Sequence, residues 1–292
     1  MLYFRQYFKT MKHTVILILL VFLLSFSYSE RMGYQIYTEK GKAAKYDKMI
    51  KSMQEADIIL FGELHNNPIS HWMQLKISKS MLDRNPTFGA EMFEADNQVM
   101  MKEYMDGLIS SQNFKDQMRL WKNNATDYQP LVELAKENSR PFIATNVPRR
   151  YASIVFRDGL AGLDNISDEA KNWMAPLPIE VDMELPGYKS MLEMGMGHGG
   201  ENIVHAQALK DATMAHFILE NKSEGSPFIH FHGTFHSNNF EGIYYYLKKQ
   251  DPNLNIITIA SVEQASVDSI DPENENLANY ILVIDEDMTK TY

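Results

Sequence analysis

The sequence predicts an α/β fold with a mostly parallel central sheet, flanking helices and an inserted helical lid. Short apolar runs of strand length alternate with segments of helical periodicity, a pattern typical of parallel sheets with right-handed crossovers. The stretch from about residue 148 to 226 contains no convincing strand and shows helical patterns broken at glycines and prolines. We expect this insertion to lie over the strand ends as a lid.

Composition and charge exclude several classes of protein. The chain has 292 residues, 45% of them hydrophobic, which is enough for one substantial core. A net charge of -10 leaves no basic stripe for phosphates, so no nucleic-acid partner is expected. The chain contains no cysteine, which excludes disulfides, thiolate metal sites, a cysteine nucleophile and a lipoprotein anchor.

The amino terminus has the pattern of a secretory signal peptide. Basic residues precede an apolar run over residues 15–24, which is short for a transmembrane span, and small residues then offer a cleavage site. We therefore predict a signal peptide over residues 1–29 and a single exported domain over residues 30–292, in the periplasm or cell envelope. An uncleaved anchor is the alternative.

One strand and the turn after it place two polar side chains where ligands bind. Residues 58–61 form a short unbroken apolar run, as expected for a strand covered on both faces. Gly62 allows a tight turn, and Asn67–Pro68 predicts the start of a helix. Glu63 and His65 therefore lie at the carboxyl end of the strand, the edge at which open α/β sheets bind ligands.

The same pattern recurs downstream. An apolar strand over residues 227–232 leads into Gly233 and, three residues later, His236. The two Gly-x-x-His turns are expected to face each other across one sheet edge. His230 and His232 alternate along this strand and share a face, so one of them is a candidate for a hydrogen-bonded core histidine.

Further strands are predicted at residues 87–93, 141–146, 255–262 and 280–284. The first of them carries Glu91 near its end. Imidazole and carboxylate groups that converge on one edge suit Zn²⁺, Mn²⁺ or Fe. The predicted metal ligands are Glu63, His65, Glu91, His232 and His236. The same groups also suit a metal-free acid–base pair, or a buried polar network that satisfies backbone groups.

Several sequence blocks resemble the ChaN-type haem-binding proteins of the Tiki superfamily. The opening block is Gly62–Pro68 with His71 and Gln74, and it is followed by Glu91–Phe93 with Gln98, Tyr128–Pro130, Ala144–Arg149 and Ala206–Ala215. Together these blocks run through nearly the whole of the predicted domain.

The resemblance implies an exported protein that binds haem through its helical insertion and takes part in haem and iron uptake. It also implies a homodimer with haem at the interface and, as a partner, an outer-membrane haem receptor. Tyrosine, histidine and methionine are all known axial ligands of haem iron. The candidate haem-binding residues are Tyr188, Met196, His198, His205 and Gln207.

The alternative function is a metal-dependent hydrolase, a peptidase or an esterase, as the superfamily resemblance also implies. In that case Glu63, His65, Glu91 and His236 would be the catalytic residues. Gln207 and Asp211 lie on one face of a predicted helix. That polar stripe either faces the pocket or caps a neighbouring helix.

Overall fold

The structure is a computed structural model that describes residues 32–194 and 200–292. The predicted signal peptide and two candidate haem-binding residues, Met196 and His198, lie outside the described residues. Residues Gly33–Tyr292 form one compact unit.

The described residues form an eight-stranded sheet. Its strands are β1 (Tyr34–Thr38), β2 (Ala43–Ala44), β3 (Ile58–Glu63), β4 (Thr87–Glu94), β5 (Phe142–Asn146), β6 (Phe228–Gly233), β7 (Ile256–Gln264) and β8 (Tyr280–Asp285). The strand order is β2-β1-β8-β7-β3-β6-β4-β5. Among these strands the two pairs that involve β1 are antiparallel and the other five pairs are parallel, so the prediction of a mostly parallel sheet is confirmed.

Helices flank this sheet. They are α1 (Tyr46–Met53), α2 (Pro68–Ser80), α3 (Gln98–Met105), α4 (Ser111–Gln117), α5 (Asn124–Asp127), α6 (Gln129–Glu137), α7 (Arg149–Asp158), α8 (Asp168–Lys171), α9 (Pro186–Met194), α10 (Asn202–Asn221) and α11 (Ile243–Gln250). None of the helices in the described part of the chain combines the length and the apolar character that a bilayer crossing requires.

Strand β3 shows why the central strands are unbroken apolar runs. All six of its residues are buried. Ile59 and Phe61 belong to a core that includes side chains of α1, α2, α3 and α6. Ile58 and Leu60 belong to a second core, on the face covered by α9, α10 and α11. Because helices cover both faces, alternation between apolar and polar residues is absent.

The insertion is helical, as predicted, and its described residues between β5 and β6 contain no strand. Its longest helix, α10, lies against β4, β5 and β6, so it is the crossover helix of a β5–α10–β6 connection. That the shorter helices α7, α8 and α9 act as a lid stays a prediction.

Candidate functional site

The two Gly-x-x-His turns lie side by side. Strands β3 and β6 are parallel neighbours, with Gly62 opposite His232 and Glu63 opposite Gly233. Both turns therefore leave the sheet at its carboxyl edge, as the sequence predicts. This pairing brings Glu63, His65 and the turn that carries His236 into one region.

Glu63 is buried and surrounded by hydrogen-bond donors. Its side chain accepts hydrogen bonds from His65 Nδ1 at 2.8 Å, from the Tyr128 hydroxyl at 2.7 Å and from the Gln74 amide. Burial and, to a smaller extent, the negative charge of Glu63 raise the pKa of Tyr128 well above its ordinary value. Tyr128 therefore stays a neutral donor, and the three donors suit an ionised Glu63 carboxylate.

His65 is the partly exposed member of the cluster, with 36% of its side chain accessible. Because its Nδ1 faces Glu63, the Glu63 carboxylate fixes the tautomer and leaves Nε2 available. Burial lowers the pKa of His65, but the hydrogen bond that it donates to Glu63 and the charges of Glu91 and Glu63 outweigh burial and raise the pKa. Its ring packs edge-to-face with that of Trp121, with ring centroids 4.9 Å apart.

A second carboxylate–histidine pair lies on the neighbouring strand ends. His236, in the short turn after β6, places Nε2 3.1 Å from Glu91 Oε1 and Nδ1 2.5 Å from Asp211 Oδ1. Burial lowers the pKa of His236, but the charges of Glu91 and Asp211 outweigh it and raise the pKa to about 10. Burial raises the pKa of Glu91, yet the charge of His236 holds it well below its ordinary range. The unit is therefore an imidazolium between two carboxylates.

Gly233 is where the two pairs meet. Its backbone N–H donates to Glu91 Oε2 at 2.8 Å. A Cβ added at this position would lie 2.8 Å from His65 Nε2 and 3.6 Å from Glu91 Oε2. The absence of a side chain at Gly233 therefore lets the His65 ring approach the strand end next to Glu91.

Strand β4 also shapes the site. Its pairing with β5 is irregular between Ala90 and Glu94, and Glu91 lies within this irregular segment. Such irregularities re-aim side chains at strand ends. Glu91 consequently reaches both Gly233 and His236 on β6 and its turn.

Some residues that contact the site were not among those predicted to be catalytic or metal-binding. Asp211 is the partner of His236, and its other oxygen accepts a hydrogen bond from the Tyr188 hydroxyl at 2.9 Å. The polar stripe on α10 was the signal, because Gln207 also contacts His236, with Nε2 2.8 Å from Nδ1. Gln74 and Tyr128, which belong to the blocks that resemble the ChaN-type proteins, both contact Glu63.

The predicted metal site finds no support in the geometry. Among residues 32–194 and 200–292, no group of three or more histidine and carboxylate side chains is placed to hold a metal ion. His232 is fully buried and contacts His230 and Ser237. Both ring nitrogens of His232 are therefore engaged by residues other than Glu63 and His65.

The described candidate haem-binding residues have different environments. Tyr188 is only 3% exposed and donates its hydroxyl hydrogen to Asp211, so its hydroxyl group is already engaged. Gln207 is likewise buried against His236. His205 differs, because its buried Nδ1 has no hydrogen-bond partner. Of the three, His205 alone has an orphaned polar atom that a ligand would compensate.

Comparisons with known proteins agree with this fold. A solved structure, described as cofacial heme binding to ChaN of Campylobacter jejuni, superposes with a TM-score of 0.64 at 16% identity and covers 86% of this chain and 96% of that chain. A curated relative from Arabidopsis thaliana, the chloroplastic protein RETICULATA-RELATED 5, is 22% identical over 212 residues, or 66% of this chain. The aligned region spans 28% of that relative's length.

A family model gives the assignment. The sequence model of the family described as "Haem-binding uptake, Tiki superfamily, ChaN" matches residues 49–247. This region runs from α1 to α11 and includes both Gly-x-x-His turns, Glu91 and the whole helical insertion. The chain belongs to the ChaN family of the Tiki superfamily.

Proposed function

We propose that this chain is an exported haem-binding protein that takes part in haem and iron uptake. Membership of the ChaN family supports the binding of haem, and the pattern of residues 1–29 supports export. The structural observation that carries the proposal is the unpartnered, buried Nδ1 of His205. A homodimer and an outer-membrane haem receptor belong to the same proposal and rest on the family resemblance.

Helix α9 and the start of α10 have the composition that haem needs. Haem is a large apolar disc with two anionic propionates, so its site requires apolar walls and an axial ligand. Met191, Leu192 and Ile203 are partly buried apolar side chains on α9 and the start of α10. Lys189, which is paired with Glu184 at 2.6 Å, is a candidate cation for a propionate. When bound there, haem would take its axial ligand from His205.

A hemin titration followed by visible spectroscopy tests the proposal. We expect a shifted Soret band for the protein and at least tenfold weaker binding for His205→Ala. His216→Ala is the matched control, since His216 lies on the same helix and pairs with Glu220. A spectrum equal to that of free hemin at protein excess refutes haem binding, whereas an unchanged titration for His205→Ala refutes only the assignment of the ligand.

Two further variants separate haem binding from the strand-end site. Tyr188→Phe removes a hydroxyl group that donates to Asp211, and Glu63→Gln changes a carboxylate on β3. Neither is expected to alter the Soret band. A strong haem defect in Glu63→Gln together with normal binding by His205→Ala would place haem at the strand ends instead. Amino-terminal sequencing of protein recovered from the cell envelope tests the cleavage after residue 29.

A second candidate function, hydrolysis of an ester or amide, is favoured by one specific observation. His65 is partly exposed, and its Nδ1 faces the buried Glu63 carboxylate. In that tautomer Nε2 is available to take a proton from an attacking water, and Glu63 would stabilise the imidazolium that forms. Glu63→Gln and His65→Asn are expected to abolish release of nitrophenol from nitrophenyl esters, while His216→Asn is not. A wild-type rate equal to the buffer rate excludes esterase activity on these substrates.

A further inference from the structure

A chain of four buried polar side chains runs beneath the site on the face covered by α10. The Thr145 hydroxyl lies 2.7 Å from His230 Nε2, and His230 Nδ1 lies 3.0 Å from His232 Nδ1. His232 Nε2 lies 2.8 Å from the Ser237 hydroxyl. All four residues are essentially inaccessible to solvent. Neither the haem proposal nor the hydrolase proposal uses this chain.

This chain of side chains passes from β5 over β4 to β6, and it can do so because β4 has a glycine at the point where it is crossed. Gly89 is the residue of β4 opposite His230. A Cβ added to Gly89 would lie 2.8 Å from the Phe228 ring and 3.1 Å from Thr145 Cγ2. A side chain at residue 89 would therefore crowd the contact between Thr145 and His230.

The geometry also fixes the protonation of the two rings. Only one proton fits between the two Nδ1 atoms, so one ring must carry its proton on Nδ1 and the other on Nε2. In either arrangement each ring nitrogen has a partner, because a hydroxyl group at each end can donate or accept. Burial lowers the pKa of both histidines, consistent with two neutral rings.

The ends of the chain lie next to residues of the site. Ser237 directly follows His236, and Thr145 directly precedes Asn146, whose side-chain amide donates to the Glu91 backbone carbonyl at 3.0 Å. The chain thereby connects the turn that carries His236 with the strand end next to Glu91. We propose that His230 and His232, with Thr145 and Ser237, are positioning residues that hold His236 in contact with both Glu91 and Asp211.

Nitrogen-15 NMR of histidine ring nitrogens in the intact protein tests this proposal without a variant. At pH 7 we expect His230 and His232 to be neutral and to show complementary tautomers, one protonated on Nδ1 and the other on Nε2. Two rings in the same tautomer, or a charged ring at either position, would overturn the proposal.

Variants of Ser237 test the effect on His236. Ser237→Ala should accelerate water exchange of the His236 Nδ1 proton about tenfold, since the loss of one buried hydrogen bond loosens the turn. Ser237→Thr retains the hydroxyl group and should restore slow exchange. The matched control is Thr234→Val, which removes a hydrogen bond to Asn238 in the same turn but outside the chain. Equal exchange in wild type and Ser237→Ala, or equal acceleration in Thr234→Val, would show that the chain does not position His236.

Discussion

Acid should destabilise this protein through its buried histidines. Burial lowers the pKa of His230 to about 3 and places that of His232 well below its ordinary value. The charge of Glu91 opposes this shift and that of His236 reinforces it. In the unfolded chain each ring titrates at about pH 6.5. As the pH falls below about 6.5 the unfolded state takes up these protons first, so stability present at neutral pH is lost.

The size of the effect follows from how far the pH lies below the pKa of histidine in the unfolded chain. A pH of 5 lies about 1.5 units below the histidine pKa of about 6.5 in the unfolded chain. At 1.36 kcal/mol per unit, keeping both rings neutral in the folded state therefore costs about 4 kcal/mol of stability. His236 acts in the opposite direction, because its pKa is raised to about 10. Its contribution is complete below about pH 6.5 and is lost as the pH rises through 10. Between pH 7 and pH 5 it returns about 1 kcal/mol, which leaves a net loss of about 3 kcal/mol.

Urea unfolding followed by circular dichroism at pH 7 and pH 5 measures this loss. In His230→Gln the difference between the two pH values should fall by about 2 kcal/mol, whatever the stability of the variant at pH 7. His216→Gln, on the partly exposed side of α10, should retain the full difference. If His230→Gln loses as much stability as the wild type between pH 7 and pH 5, burial of a neutral ring does not account for the acid sensitivity.

Two further substitutions test the close approach of the His65 ring to Gly233 and the hydrogen bonds between Gln98 and the edge strand β5. Gly233→Ala should displace the His65 ring from Glu63 and destabilise the fold by about 1–3 kcal/mol, measured from the NMR signals of His65 and by urea unfolding. Gly33→Ala, where only the end of a flexible methionine is close, should leave those signals unchanged. Gln98→Leu should cost about 1–3 kcal/mol in urea unfolding, since the Gln98 amide bonds the Phe142 carbonyl at 3.3 Å and the Ala144 N–H at 2.6 Å. Equal stability of Gln98→Leu and wild type would show that water replaces these bonds.

The central strands were predictable because burial on both faces requires an unbroken apolar run followed by turn residues. The paired turns were predictable for the same reason, since each glycine follows such a run. Strand β1 was not predicted. Most of its residues are only partly buried, and it pairs with β8, whose residues follow more than 200 positions later. Local sequence carries little information about a partner so distant.

The placement of His65 and Glu91 on either side of Gly233 lies beyond what local pattern can predict. Strand β6 is inserted between β3 and β4, although it follows both of them by more than 100 residues. This order places Gly233 between His65 and Glu91. The pairing of Asp211 with His236 was not predicted, for a related reason. Asp211 lies on a helix whose rotation about its own axis is set by tertiary packing, so its polar stripe had two interpretations from sequence alone.

The two carboxylate–histidine pairs should differ in function because their histidines differ in protonation and access. His236 is buried, has a carboxylate on each ring nitrogen, and has its pKa raised to about 10. It therefore keeps its proton at neutral pH and acts as a fixed positive charge. His65 has one ring nitrogen occupied by Glu63, and part of its side chain is accessible. Only His65 of these two is placed to exchange a proton with a bound molecule. Replacement of His65 should consequently cost little stability, whereas replacement of His236 should leave Glu91 and Asp211 as uncompensated buried charges and destabilise the fold.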